Sequence, residues 1–331
     1  MKFAINRLDM AGPKAFADSA RKAEDLGWNM GLIPCSPLLA QDPYVMLAFA
    51  AEATSSIRIG TMLDTPVIRH PAALAGSIAT VARLAPGRTL LGLGVGDTAV
   101  RLNGLAPARV ATLERAIVLT RGLLSGQAMD VGAARPARLR HAADVPVWIA
   151  AQGPRTLRMA GAQADGVFVR VGTHPGNIIA AYDEIAAGAR EVGRDPANIE
   201  IGLIFHTIPC AHEGRARTAA KSVAAGYYEY SRFLFERPGI SWDGPDVEVL
   251  KESVWPDFHH ARDLEAAGAL VDFLPAEAAD AFALYGSWRS IREQLDRILA
   301  LDLPISVILP HPIVLPNTGI DYLSDFAKAM M

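Results

Sequence analysis

The sequence has few of the features that disulfide-rich, nucleic-acid-binding or membrane-spanning proteins require. Its two cysteines, Cys35 and Cys210, cannot build a disulfide framework and have no metal-ligand spacing. Charged residues make up 20% of the chain and the formal net charge is −3, with no run of basic residues, so we expect no nucleic-acid partner. No apolar run approaches the roughly 20 residues of a membrane helix. Because residues 2–5 already have strand character, with no signal peptide before them, we expect a cytoplasmic protein without a membrane partner.

Short apolar runs alternate with alanine-rich helical stretches along most of the chain. The runs with strand character lie at residues 3–5, 28–33, 57–62, 89–97, 147–149, 166–169, 199–208 and 305–309. The predicted helices lie at residues 13–26, 43–54, 71–84, 107–124, 154–161, 175–192 and 287–301. This alternation is typical of parallel βα units, and eight strands indicate closure into a (β/α)8 TIM barrel.

Residues 210–286 interrupt this rhythm and are too long for a simple loop. We interpret them as an insertion between the seventh strand and the last helix, with a helix predicted over 215–235 and short helices over 258–282. The sequence therefore predicts a single domain over residues 1–331, with the insertion acting as a lid over the barrel mouth.

The fourth strand ends in alternating glycines, Gly92, Gly94 and Gly96, followed by Asp97. The spacing does not match the dinucleotide fingerprint G-x-G-x-x-G, and the run follows several strand–helix units where the fingerprint belongs in the first. In barrels, the carboxyl end of a strand is where ligands bind. We therefore expect these glycines to lie near a ligand; tight packing of a strand end is the alternative.

Three blocks of the sequence together resemble one family. They are Ile59 to Pro66 with Arg69-His70-Pro71, then Gly87 to Val100, and then Pro146 to Leu157 with Ala160-Gly161 and Ala164 to Val167. They resemble the bacterial luciferase-like monooxygenase superfamily, and the second and third are most similar to its branch of methylenetetrahydromethanopterin reductases, which use coenzyme F420. The resemblance covers about residues 1–205.

The resemblance implies a TIM barrel that holds a planar redox cofactor, coenzyme F420 or alternatively FMN, at its mouth. It implies a bulge after the third strand with a non-proline cis peptide at Met62–Leu63, and a phosphate site at Ala151 to Pro154 and at Val171-Gly172. Backbone N–H groups at a helix N-terminus are suited to phosphate. The expected cofactor-binding residues are Met62, Leu63, Asp64, Gly96, Asp97, Ala151, Gln152, Gly153, Pro154, Val171 and Gly172.

The chain departs from the family after its second strand. Reductase-like members carry an Asp or His there, whereas this chain has Pro34-Cys35-Ser36-Pro37. The candidate catalytic residues are therefore Cys35, His70 and His260, with His259 as a further candidate. Cys35 could equally be an inert buried thiol, and His70 could cap the third helix. We expect no metal site, because adjacent histidines do not share a helix face and no third ligand stands at suitable spacing.

We therefore expect an oxidoreductase that transfers a hydride between coenzyme F420 and a small organic substrate. An FMN-dependent monooxygenase using reduced flavin and O2 is the second hypothesis, and a non-catalytic barrel of the same superfamily is the third. The family resemblance also implies a homodimer.

Overall fold

The computed structural model describes residues 1–331. The strands are β1 Lys2–Ile5, β2 Met30–Ile33, β3 Arg58–Thr61, β4 Thr89–Leu93, β5 Val147–Ala151, β6 Gly166–Val169, β7 Glu200–Pro209, β8 Ala283–Gly286 and β9 Ile305–Pro312. The helices are α1 Pro13–Asp25, α2 Pro43–Ala53, α3 Pro71–Leu84, α4 Thr98–Arg101, α5 Val110–Leu124, α6 Pro154–Gln163, α7 Pro175–Glu191, α8 Glu213–Ser231, α9 Val247–Lys251, α10 Leu264–Ala269, α11 Ala276–Phe282, α12 Trp288–Leu299 and α13 Tyr322–Met330.

The chain divides into two compact units. The first consists of Met1–Phe168 with Glu184–Gly202, and the second of Val169–Asp183 with Leu203–Met331. The single domain predicted from the sequence, with 210–286 as its lid, stays a prediction. No helix is long and apolar enough to cross a membrane.

In the first unit, β1 to β5 lie side by side as parallel strands. Leu32 lies opposite Gly60 across β2 and β3, and Gly92 opposite Trp148 across β4 and β5. The strands are buried almost without interruption, as expected for parallel strands covered by helices on their outer face. Asp42 begins α2, since its carboxylate accepts hydrogen bonds from the N–H groups of Tyr44 and Val45.

In the second unit, β7 pairs with β8 in parallel, with His206 opposite Ala283. The N–H of Ile313, next to β9, donates to the carbonyl of Thr207 on the other side of β7. Helices α8, α10 and α11 pack together, and Gly268 of α10 lies so close to the carbonyl of Thr218 in α8 that a Cβ there would stand 1.9 Å from it.

Parallel strands that alternate with helices in this order form a (β/α)8 barrel, as the sequence predicts. β1 to β7 and β9 correspond to the eight predicted strands, and β8 is an addition. The sequence analysis placed residues 283–286 within the insertion and did not predict β8. Its four residues follow an alanine-rich helix directly, so their apolar pattern reads as a continuation of α11. The short helices α4 and α9 and the last helix, α13, were also not predicted.

Candidate active site

The carboxyl end of β3 carries an irregular backbone segment in the first unit. The Met62–Leu63 peptide bond is cis, as the family resemblance implies. The next residue, Asp64, bridges to β4: its N–H donates to the carbonyl of Gly92, and its carbonyl accepts from the N–H of Gly94. The backbone between β3 and the following loop is thereby fixed against the glycine run.

Asp64 is a buried acid, with 1% of its surface exposed. Its carboxylate accepts hydrogen bonds from the hydroxyl of Tyr44 at 3.0 Å and the N–H of Thr65 at 2.7 Å, and Arg69 Nε stands 3.5 Å from it. Burial raises the pKa of the Asp64 carboxyl, and these donors oppose that effect only in part. Although the sequence analysis assigned Asp64 to the cofactor, its observed partners are protein groups.

Cys35 lies at the end of β2, beside Asp64. Burial, and after it the charge of Asp64, raises the pKa of the Cys35 thiol well above its usual value. A thiol in such a setting remains protonated and is a poor nucleophile. The region that lacks the family's acid or histidine after β2 thus has a buried acid, Asp64, in the segment that follows the neighbouring strand β3.

His70 is exposed and begins α3. Its Nδ1 accepts a hydrogen bond from the N–H of Ala72 at 3.2 Å, so the side chain caps the helix. The adjacent Arg69 forms an ion pair with Asp42, the cap of α2. This is the structural alternative considered for His70; its catalytic role stays a prediction.

The glycine run has a packing explanation. A Cβ on Gly92 would stand 2.2 Å from the carbonyl oxygen of Thr61, and one on Gly94 would stand 2.9 Å from the Leu63 side chain. Gly96 has a φ of +81°, which favours glycine. Asp97, which follows, forms an ion pair with Arg101. Tight contact between β3 and β4 therefore requires Gly92 and Gly94, whether or not a ligand is near.

The N-terminus of α6 is open. Gly153 is its cap residue and makes no side-chain cap, Pro154 takes the first helical position, and a Cβ on Gly153 would meet no atom within 4 Å. Buried Ala151 ends β5 and Gln152 leads into the turn. The first N–H groups of a helix have no acceptor within it, and at α6 no side-chain cap supplies one. This arrangement fits an anionic group such as a cofactor phosphate.

In the second unit, Val171 and Gly172 follow β6. Val171 is buried. Gly172 has a φ of +79°, and a Cβ on it would stand 2.6 Å from the carbonyl oxygen of Ala281. The N–H of Thr173 donates to that same carbonyl at 2.8 Å. Packing against the end of α11 thus explains this glycine, and its predicted part in binding phosphate stays a prediction.

Four histidine rings meet in the second unit. His206 of β7 lies 5.0 Å from the ring of His259 and 5.0 Å from that of His311 of β9, and the ring of His260 lies 6.2 Å from that of His259. We call these four residues the histidine cluster. No group of three or more His, Cys, Asp or Glu residues is arranged to hold a metal ion. His206 was not among the predicted site residues. The only feature of the sequence that could have indicated it is one polar ring within the largely apolar strand β7.

His260 is oriented by a buried acid. Its Nδ1 lies 2.8 Å and 3.0 Å from the two carboxylate oxygens of Asp257, and its backbone N–H donates to the same carboxylate at 2.9 Å. Asp257 is buried, whereas a third of the His260 side chain is exposed. A carboxylate bound at Nδ1 favours the tautomer with the proton on Nδ1, which leaves Nε2 as the acceptor. His260 therefore has the geometry of a proton-exchanging group.

The sequence matches one family model, and the structure superposes on solved proteins of one fold. The family model described as luciferase-like monooxygenase matches residues 3–301. A 5,10-methylenetetrahydromethanopterin reductase of Methanolobus tindarius is 29% identical over 84% of both chains. The solved coenzyme F420 dependent tetrahydromethanopterin reductase from Methanopyrus kandleri superposes with a TM-score of 0.77 at 23% identity, over 99% of this chain and 97% of that one. A monooxygenase from Streptomyces bottropensis superposes with a TM-score of 0.64 at 18% identity, over 99% and 97% of the two chains. These superpositions confirm the (β/α)8 fold.

Proposed function

Since the chain belongs to the luciferase-like monooxygenase family, we propose that it is an oxidoreductase that transfers a hydride between coenzyme F420 and a small organic substrate. The observation that carries the proposal is the N-terminus of α6 at Gly153, which has no side-chain cap and where a Cβ would meet no atom within 4 Å. The relative matched over 84% of this chain is a methylenetetrahydromethanopterin reductase, and the superposed reductase is named as dependent on coenzyme F420.

Coenzyme F420 supplies the hydride chemistry when it is bound. We assign its phosphate to the turn Ala151–Gln152–Gly153–Pro154, with Val171 and Gly172 as further candidates. The segment Met62–Leu63–Asp64 and the turn Gly96–Asp97 would support the ring and its polyol chain. Arg155 is exposed on α6 and could meet an anionic tail, whereas Arg158 is engaged by Glu184 and Glu191 at 3.0 Å each.

His260 is the best candidate for the group that transfers the proton accompanying the hydride. Asp257 holds its Nδ1, so Nε2 can accept a proton from a substrate hydroxyl during oxidation and return it during reduction. Cys35 is less suited, because its pKa is raised well above the usual value and its thiol stays neutral. His70 already uses Nδ1 to cap α3.

An FMN-dependent monooxygenase is the alternative, favoured by the superposed monooxygenase with a TM-score of 0.64. A non-catalytic barrel would have no need for the open helix N-terminus at Gly153. We also propose that the protein is cytoplasmic and forms a homodimer.

Titration of the purified protein with coenzyme F420 and with FMN, followed by fluorescence, tests the proposal. We expect saturable binding of coenzyme F420 and none of FMN. Binding of FMN alone would favour the monooxygenase, and binding of neither would favour the non-catalytic barrel. Activity assays with reduced FMN and O2 provide the matching check on the reaction.

A further inference from the structure

Arg170, directly after β6, carries a cation without a carboxylate partner. Some partly buried arginines pair with a carboxylate, Arg58 with Glu200 and Arg215 with Glu265, whereas Arg88 and Arg194 donate to backbone carbonyls. Arg170 is also partly buried, yet it forms no ion pair, and its guanidinium lies over the ring of Tyr227, 5.3 Å from the ring centroid. Aromatic contact stabilises a cation but does not neutralise it. An anion from outside the protein would complete this environment.

His259 provides a second, independent observation. Only 3% of its surface is exposed, and neither Nδ1 nor Nε2 has a hydrogen-bond partner. The ring is stacked between His206, at 5.0 Å, and Tyr230, at 6.0 Å. Gly226 of α8 makes room for it, since a Cβ there would stand 2.5 Å from Nδ1. A buried polar atom left without a partner destabilises the fold, and a ligand with a matching group removes that cost.

The two side chains belong to one group. The ring of Tyr227, over which Arg170 lies, is 4.9 Å from the ring of His259. Burial lowers the pKa of His259 well below its usual value, and Arg170 is the largest charge that adds to the effect, followed by His206, His260 and His311. The two buried acids of this region already have partners: Asp257 contacts His260, and Glu229 pairs with Lys251 at 2.6 Å. The arrangement therefore holds one cation, Arg170, beside the neutral imidazole of His259, and neither acid is free to pair with that cation.

We infer that Arg170 and His259 bind an anionic group of the substrate, a carboxylate or a phosphate. The inference rests on the proposed function, because it assumes that a substrate is bound near the histidine cluster. A guanidinium can donate two parallel hydrogen bonds to a carboxylate, and an imidazole N–H can donate a third. The substrate class is then a small organic acid or phosphate ester that also carries the group to be oxidised or reduced.

The cofactor has a separate phosphate cradle at Gly153, so Arg170 and His259 need not serve its phosphate. This distinction can be measured. A substrate site should bind a small carboxylate in the absence of cofactor, and its loss should leave the affinity for coenzyme F420 unchanged.

Isothermal titration calorimetry on the full chain tests the inference. The ligands are butyrate, its uncharged analogue butyramide, and inorganic phosphate. We expect butyrate to bind, and butyramide to bind at least about tenfold more weakly, since it lacks the charge. Because the turn at Gly153 is itself assigned to phosphate, phosphate binding supports the inference only where Arg170→Met weakens it. Arg170→Met should lower the affinity for the anion by about tenfold or more. Arg289→Met, which removes an equally charged side chain that is 90% exposed on α12, is the matched control and should leave anion binding unchanged. Equal binding of butyrate and butyramide, or no binding of either anion, would overturn the inference.

His259→Phe preserves a stacked aromatic ring and removes the imidazole nitrogens. It should therefore also lower the affinity for the anion, while the circular dichroism spectrum stays unchanged. Fluorescence titration with coenzyme F420 is carried out on the same variants. Retained affinity for coenzyme F420 in Arg170→Met supports a substrate site, whereas loss of that affinity would assign Arg170 to the cofactor and overturn the inference. If the unsubstituted protein binds butyrate but no coenzyme F420, the proposed function fails and the anion site stands.

Discussion

At the scale of single residues, one carboxylate organises the turn that leads into β3. Glu24, in the last turn of α1, accepts hydrogen bonds from the N–H groups of Ser55, Ser56 and Ile57 and from the Ser56 hydroxyl. Partial burial acts to raise its pKa, but the hydrogen bonds from Ile57, Ser56 and Ser55 outweigh it and lower the pKa to about 2. The charged form is thus stabilised by folding.

Glu24→Gln should therefore lower the free energy of unfolding by about 1 to 2 kcal/mol near neutral pH, after allowance for solvent screening. Because the folded-state pKa is depressed, this contribution is present above the unfolded pKa of about 4.3 and is lost as the pH falls towards 2. Urea denaturation at pH 7 and pH 3 measures the difference. Glu52→Gln, at an exposed position of α2, is the control; an equal effect of both substitutions would contradict the assignment.

Asp257→Asn should lower kcat by about 10- to 100-fold, because the amide no longer favours the tautomer of His260 with its proton on Nδ1. The affinity for coenzyme F420 should not change, and the pH dependence of kcat should shift. Asp263→Asn, at the cap of α10, is a matched control, since Asn also caps helices. A parallel loss of cofactor affinity would show that Asp257 acts only through the fold.

Gly153→Leu should abolish binding of coenzyme F420, because its side chain would extend into the free space beside the helix N-terminus. Gly153→Ala should leave thermal stability nearly unchanged, since its φ of −82° suits any residue and its Cβ meets no atom within 4 Å. Fluorescence titration measures the first effect and thermal unfolding the second. Unchanged affinity in Gly153→Leu would remove the phosphate assignment.

Single-residue roles could be predicted from the sequence only in part. The blocks that resemble the family led to the cis bond at Met62–Leu63 and to the turn at Gly153. The carboxylate of Asp257, by contrast, lies within an irregular stretch with no recognisable motif, and its position beside His260 depends on how that stretch folds. For Gly92 and Gly172, the close contacts come from residues distant in sequence, Thr61 and Ala281.

At the scale of elements, α6 and α7 pack through glycine. A Cβ on Gly161 would stand 2.0 Å from the carbonyl oxygen of Ile185, and one on Gly188 would stand 1.8 Å from that of Arg158. The two backbones are therefore in direct contact. This contact positions the helix whose N-terminus we assign to the phosphate.

Gly161→Ala should lower the free energy of unfolding by about 1 to 3 kcal/mol, because the added methyl forces the two helices apart. Gly193→Ala, in the turn after α7, is the comparison. Gly193 has a φ of +72°, so the substitution strains the backbone, but its Cβ would meet no atom within 4 Å. We expect it to cost about 1 kcal/mol or less. Chemical denaturation measures both, and a smaller loss for Gly161→Ala than for Gly193→Ala would contradict the packing argument.

Elements with strong local signals were predicted closely. Helix α3 and strand β6 have the predicted bounds, since each is a periodic or apolar run between Pro or Gly residues. β8 could not be predicted in this way. Its four residues form a strand because β7 extends far enough to pair with them, which is a property of the partner.

At the scale of the whole molecule, α2 has apolar residues on its outer face as well as its inner face. Met46, Leu47 and Ala50 are buried, while Val45 and Phe49, one turn apart, are 50% and 43% exposed. A helix that is apolar on all sides is usually buried, and an exposed apolar face of this kind often marks a contact between proteins. This face is our candidate for the homodimer interface.

Phe49→Glu should convert a dimer into a monomer, because it places a charge in an apolar contact. Leu270→Glu, at an exposed leucine after α10, should leave the assembly intact. Sedimentation velocity measures both, and fluorescence titration shows whether the monomer still binds coenzyme F420. A monomeric unsubstituted protein, or a dimer that survives Phe49→Glu, would exclude this interface.

The burial of both cysteines has a practical consequence for labelling the protein with fluorophores. Cys35 and Cys210 are free thiols enclosed by the fold, with 5% and 3% of their surfaces exposed. Maleimide reagents react with accessible thiolates, so the unsubstituted chain should label slowly. A cysteine introduced at an exposed site would then carry a single fluorophore without prior removal of native thiols. The fluorescence of that label could be followed as cofactor and substrate bind.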